Sequence, residues 1–292
     1  MRIAVLLYGH LRDFNNCATG LRNHLINKYH CDVFIHTWDE TEPSTFAWHK
    51  GRSKKKAVDD KVKKQIDDLY SPLKIAIEHQ EKWSNEAIIE SKYMKGFRFS
   101  TAGVHFMFHS MSKANQLRTQ FESENGFNYD LVVVTRPDVQ LKNDLDVIKI
   151  IEQAKVLELD LGKCRFFASS PITMSYSAAF YTNEPNDLLF LGTPKVINTY
   201  IHENLSLEHK FLVNHTINVV SNFTAKELKA GIIPIPLSYS LGVDWNFSKY
   251  RKECFHFPFM KQWLIKIAIF LLRPFYKIIN KQPQVLYYND CH

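Results

Sequence analysis

The sequence predicts an α/β protein: a mostly parallel sheet with helices on both faces, followed by an amphipathic helical extension at the C-terminus. Three observations carry this expectation. Short unbroken apolar runs alternate with longer stretches of helical spacing through the first half of the chain, the pattern of strands buried on both faces. Each of these runs ends in a cluster of polar residues. Finally, 292 residues with 45% apolar and 13% aromatic side chains suit one α/β domain plus an extension, and are too few for two complete doubly wound domains.

The elements follow in chain order. Ile3 to Leu7 is a continuous apolar run that stops at Gly9, a buried parallel strand. Residues 14–29 read as a helix with Leu21, Leu25 and Ile26 on one face, and Asp32 to His36 as a second strand. The stretch from Glu40 to Asp68 is polar and carries Lys54-Lys55-Lys56; it reads as a solvated loop and then a helix, not a nucleic-acid patch. Leu73 to Ile77 is a third short strand. Ser100 to Glu124 is a long helix, started by Ser100 and Thr101 and ended by Gly126. The run from Asp130 to Asp138, with Leu-Val-Val-Val-Thr at its centre, is the clearest strand of the chain. Beyond it, Phe166 to Ser170 reads as a further strand, and no internal repeat is visible.

Charge is concentrated at one end. Residues 249–281 hold eight basic side chains against one acid, Glu253, so this segment accounts for the whole formal charge of +7. At helical spacing Gln262, Lys266, Arg273, Lys277 and Asn280 share a narrow face, while Trp263, Leu264, Ile267, Leu271, Leu272, Phe275 and Ile278 cover much of the remainder. The longest apolar run, Ile267 to Leu272, is far below the roughly 20 residues of a membrane span. A cationic face opposite an aromatic-rich apolar one describes a helix lying in a lipid headgroup plane, with Pro274 kinking it. The alternative is a terminal helix docked on the core. Residues 258–281 are accordingly expected to meet an anionic membrane surface, with nucleic acid excluded by the width of the apolar face.

The first residues lack the long apolar core and cleavage site of an export signal, and five scattered cysteines form no paired motif. A cytoplasmic, reduced protein, peripheral on the membrane's inner face, is the expectation, and the four Asn-x-Ser/Thr sites read as chance. The expected division is a domain over 1–248, its halves meeting near 145, and a tail over 249–292.

Several reaction classes are disfavoured by missing motifs. No GxGxxG follows the first strand, no GxxxxGK[ST] occurs, and no GxSxG is present. His105 and His109 are four apart on a helix but lack the Glu of a metalloprotease motif, and read as packing residues. In parallel sheets ligands bind beyond the carboxyl ends of the strands. The candidates are therefore Gly9, His10 and Arg12 after the first strand, His36 and Trp38 around the end of the second, and Arg136 and Asp138 after the strand at 131–135. Asp138 is suited to hold a divalent cation against a diphosphate. Arg136 either opposes phosphate charge or bridges to Asp138. Trp38 either stacks on a ligand or packs in the core. Asp187, before the run Leu188 to Leu191, is a candidate acceptor-side base, or simply a capping residue; Asp244-Trp245 is a lesser candidate.

The N-terminal MRIAVLLYGHLRDF with CDVFIHTWDE, and the later HFMFHSMSKANQLRTQFESENGFNYDLVVVTRPDVQL, resemble a family of bacterial surface-polysaccharide glycosyltransferases over residues 1–145. The resemblance implies a GT-A-like Rossmann-type fold and a nucleotide-sugar donor. It further implies a lipid-linked saccharide acceptor in capsule, O-antigen or lipopolysaccharide assembly. Arg136 and Asp138 stand where the family carries an Asp motif for Mg²⁺ or Mn²⁺, and Gly9, His10 and Arg12 in the loop that meets the nucleotide. Here the motif is Arg-Pro-Asp, not Asp-x-Asp, so Arg136 takes the place of one metal-facing carboxylate. The competing readings are another nucleotide-dependent transferase, nucleotidyl or sulfo, and an inactive glycan-binding scaffold.

Overall fold

The computed structural model describes residues 1–42, 56–80, 101–156, 166–169, 189–206, 231–234 and 239–241. In chain order these form β1 (Ile3–Tyr8), the helical segment α1 (residues 14–29), β2 (Asp32–Trp38), α2 (Asp60–Tyr70), β3 (Lys74–Glu78) and α3 (Thr101–Asn125). Then follow β4 (Leu131–Thr135), β5 (Val139–Leu141), α4 (Val147–Val156), β6 (Phe166–Ser169), β7 (Leu189–Gly192), α5 (Pro194–Ser206), β8 (Gly231–Pro234) and β9 (Tyr239–Leu241).

Seven strands make one sheet in the order β3-β2-β1-β4-β7-β6-β8, and β5 pairs with β9 apart from it. The first four strands are mutually parallel. β7 runs antiparallel to β4 and β6, while β8 returns parallel to β6. The α/β class with a mostly parallel sheet is thus the fold of the protein.

The apolar runs are unbroken because both faces of the sheet are covered. In β1, Ile3, Val5 and Leu7 join a core with residues of α1, α2, β5 and α4. Ala4, Leu6 and Tyr8 point the other way, into a core shared with α3 and α5. Every residue of β1 is buried. At roughly 1.5–3 kcal/mol for each large apolar side chain buried, a strand packed on both faces contributes about twice what a one-faced strand would.

The helices are set by local chemistry. Segment α1 begins as an α-helix (Phe14–Leu21), loosens into a π-helical stretch (Arg22–Ile26) and closes with Asn27–Tyr29, where His30 turns left-handed at φ 50°. The α2 helix is capped by the Asp59 carboxylate, which accepts from the Val62 N–H at 2.9 Å. Helix α3 carries Phe108, Met111 and Ala114 into the second core. Arg118, fully buried on the same helix, donates to Glu122 at 2.6 Å, to Asn115 at 2.9 Å and to Asn198 of α5 at 2.5 Å.

Gly20 shows why one helix can lie so close to a strand. A Cβ placed there would stand 2.4 Å from the Leu141 carbonyl oxygen and 2.8 Å from its nitrogen. Alanine has the better helix propensity by about 1 kcal/mol, yet the contact is with backbone, which cannot swing aside. Gly20→Ala is expected to destabilise the protein by roughly 1–3 kcal/mol, read as a lower urea midpoint. An unchanged or raised midpoint would show that α1 and β5 separate at little cost.

Candidate functional site

The polar residues expected at the carboxyl ends of β1, β2 and β4 do gather at one edge of the sheet, and the loop after β1 organises them. Gly9 adopts φ 89° and Arg12 φ 47°. A side chain at Gly9 would meet nothing within 4 Å, so its glycine is required by the backbone angle alone. Arg12 has no such freedom, and left-handed backbone at a long side chain is strain of the kind that persists where surroundings impose it. Its N–H donates to the Thr41 carbonyl at 2.9 Å, which fixes the turn.

That turn aims Arg12 at Asp138. The Asp138 carboxylate is fully buried and accepts from Arg12 at 3.1 Å. Arg136 adds a two-pronged contact, Nε to Oδ1 at 2.8 Å and a terminal nitrogen to Oδ2 at 2.5 Å. Of the readings left open for Arg136, the bridge to Asp138 is therefore formed. The backbone beneath is held as firmly: the Cys17 thiol donates to the Asp138 carbonyl at 3.3 Å, and the Tyr70 hydroxyl to the Pro137 carbonyl at 3.2 Å. Burial and the neighbouring carboxylate push the Tyr70 hydroxyl's pKa upward, which keeps it a donor.

The arrangement places two guanidiniums against one carboxylate, leaving the cluster net positive and partly open to solvent on the arginine side; the Arg12 and Arg136 side chains are 24% and 16% exposed. Such a cluster suits an anion. It does not suit a divalent cation: both Asp138 oxygens already accept from guanidiniums, and a metal there would stand between two positive charges.

Glu42 adds a titratable group that the sequence did not single out. Burial, then the charges of Asp138 and Asp13, raise its pKa to about 7. His10 is driven the other way, to about 4, chiefly by burial and with a contribution from the Arg136 charge, so its ring is neutral at pH 7. Its Nδ1–H donates to the Glu40 carbonyl at 3.0 Å.

His36 and Trp38 sit deeper than expected for ligand contacts. Both are buried: His36 ends the predicted strand and faces the layer under α3, and β2 continues two residues past that point, which carries Trp38 into the same layer. Trp38 stacks on His109 at 5.7 Å between ring centroids, meets His36 and Phe106 edge-on, and lies beside the tilted ring of His10. It packs, and presents no face to a sugar. His36 Nδ1 lies 2.7 Å from Ser110 Oγ, which also accepts the Gly9 N–H at 2.7 Å. Ser110 thus ties the Gly9 turn to β2. The His109 ring reaches Glu78 at 2.8 Å, and the His105 side chain lies outside the described residues.

Asp187, Asp244-Trp245 and residues 249–292 also lie outside the described residues. Cys17, Tyr70, Ser110, Glu42 and Glu78 are the site residues that sequence reading missed. No helix among the described residues is long and apolar enough to cross a membrane.

No family model matches the chain, and no curated protein does. Among solved structures it is similar to mouse xyloside xylosyltransferase 1 in its apo form, at 10% identity and a TM-score of 0.39, over 78% of this chain and 81% of that one. It is also similar to the glycosyltransferase GlyE of Streptococcus pneumoniae TIGR4, at 14% identity and a TM-score of 0.37. That alignment covers 99% of this chain and 54% of GlyE, so the chain spans about half the length of GlyE.

Proposed function

We propose that this protein is a glycosyltransferase that moves a sugar from a nucleotide-sugar donor to a lipid-linked saccharide in bacterial surface-polysaccharide assembly. The observation that carries the reading is the convergence of Arg12 and Arg136 on buried Asp138, at the carboxyl ends of adjacent parallel strands β1 and β4. A diphosphate is the anion such an edge accommodates. In transfer, the bond between the anomeric carbon and the diphosphate oxygen breaks, and one to the acceptor oxygen forms. The two guanidiniums, held in place by Asp138, stabilise the charge left on the diphosphate. The acceptor's proton passes to a carboxylate, for which Asp187 is the proposed group. The basic face of residues 258–281 concentrates the enzyme on the anionic membrane surface where lipid-linked acceptors lie. The sequence resemblance over residues 1–145 supports the same assignment.

Calorimetric titration of the purified protein with UDP-, GDP-, CMP- and dTDP-linked sugars tests it, with and without Mn²⁺. One donor class is expected to bind with Kd on the order of micromolar, and Mn²⁺ to leave that value unchanged. Affinity should fall between about pH 6 and about pH 8, as Glu42 ionises beside the bound diphosphate. Binding that requires Mn²⁺ and survives replacement of both Arg12 and Arg136 would overturn the guanidinium-based site. No binding by any donor to folded protein would overturn the transferase assignment in favour of a scaffold.

A further inference from the structure

A second cluster lies behind the Gly9 turn. His36 from β2, Glu78 from β3 and His109 from α3 bring one imidazole nitrogen, one carboxylate oxygen and one further imidazole nitrogen within 4.8 Å of one another. His109 Nε2 stands 2.8 Å from Glu78 Oε2, and His36 Nε2 stands 3.6 Å from the same oxygen. His36 is fully buried, yet its Nε2 makes no hydrogen bond. A buried imidazole nitrogen that faces a carboxylate from beyond hydrogen-bond distance is costly unless something lies between them.

We propose that His36, Glu78 and His109 bind a divalent transition-metal ion, with zinc the ion their donor set favours. Two imidazoles and one carboxylate are zinc ligands, and three protein ligands leave a fourth position for water. Bonds of about 2.0–2.1 Å place tetrahedral ligands roughly 3.3 Å apart, so the trio needs side-chain adjustments of no more than about 1–2 Å.

The surroundings already hold the ligands as a metal site requires. The Ser110 hydroxyl accepts the Gly9 N–H and lies 2.7 Å from His36 Nδ1, with the His36 carbonyl 3.4 Å away as acceptor for its own hydrogen. With Nδ1–H donated to Ser110, the lone pair sits on Nε2, facing Glu78. Lys113 donates to Glu78 Oε1 at 2.9 Å, which leaves Oε2 as the metal-facing oxygen. The Trp38 ring, stacked on His109 and edge-on to His36 at 5.1 Å, walls the cluster from one side. The ion would fasten β2, β3 and α3 together directly behind the turn that aims Arg12. This site is distinct from Asp138 and does not depend on the reaction proposed above.

The test strips the purified protein with a chelator and titrates it with Co²⁺, read by visible absorption, with Zn²⁺ as competitor. About one equivalent of Co²⁺ is expected, with the weak bands of nitrogen and oxygen ligands, displaced by Zn²⁺. Glu78→Gln and His109→Gln should each weaken binding at least tenfold with far-UV circular dichroism unchanged, and Ser110→Ala by roughly 10–100-fold. Asp138→Asn should leave it intact. Three results would overturn the site: no Co²⁺ absorption in the wild type, thiolate charge-transfer bands, or binding that survives both Glu78→Gln and His109→Gln. Should His109→Gln misfold, Glu78→Gln decides alone, since Glu78 is partly exposed at the sheet edge.

Discussion

Asp138→Ala should abolish donor binding and lower stability by about 3 kcal/mol, the largest functional effect of any single change. Removing one partner of a buried ion pair typically costs about 3–5 kcal/mol, because the remaining charge is left without compensation. Here two guanidiniums lose their shared acceptor, and their partial exposure keeps the loss near the lower end of that range. Binding suffers for a different reason. Arg12 and Arg136 would repel each other and lose the orientation that Asp138 imposes on both. Urea unfolding and donor titration on the same samples separate the two effects. Asp138→Asn keeps the shape and removes the charge, so it should lose less stability than alanine while still binding donor poorly. An alanine variant that binds donor as the wild type does would reduce Asp138 to a structural bridge.

The largest stability effect is expected at the opposite end of β4 from Asp138, at Glu122. Its carboxylate accepts from buried Arg118 at 2.6 Å through Oε2, and from the Tyr129 N–H at 2.8 Å through Oε1. Glu122→Ala would leave a guanidinium in the interior, where arginine does not shed its proton, together with an unpaired N–H. The expected loss is about 3–5 kcal/mol. The double variant Arg118→Met with Glu122→Gln should recover part of it, because the buried charge goes and the Tyr129 N–H keeps an acceptor. If the double variant is no more stable than Glu122→Ala alone, the network matters for its hydrogen bonds and not for its charge.

Much of the scaffold was legible in the residues. Strands β1, β2 and β4 are buried on both faces, and that condition writes itself into sequence as an unbroken apolar run, whereas β3 at the sheet edge is only partly covered. Strand direction is not written there: Leu189, Phe190 and Leu191 are all buried whichever way β7 runs, so its reversal against β4 was invisible. The candidate site was half legible. Gly9, Arg12, Arg136 and Asp138 stand beside strand ends, where local sequence marks them. Tyr70 and Cys17 reach the same spot from helices, and Ser110 lies inside a long helix with no turn or cap to flag it. The depth of Trp38 follows from two further residues of pairing between β2 and β3, a matter of register that no local pattern records.

The pairing of β5 with β9 has a consequence for the order in which the molecule comes together. Val139, next to Asp138, pairs with Leu241, about 100 residues further along the chain. At a synthesis rate of roughly 5–20 residues per second, the nascent protein holds β1 to β4 for about 5–20 s before the partner of β5 emerges from the ribosome. The first four strands find all their mutual partners once β4 has been made and can settle early, whereas the exit of Asp138 from the sheet keeps an open edge through that interval. The arginine–aspartate cluster is thus begun by the first half of the gene and braced by the second. A truncated translation product ending before residue 239 would carry every residue of the cluster without the strand that secures its exit.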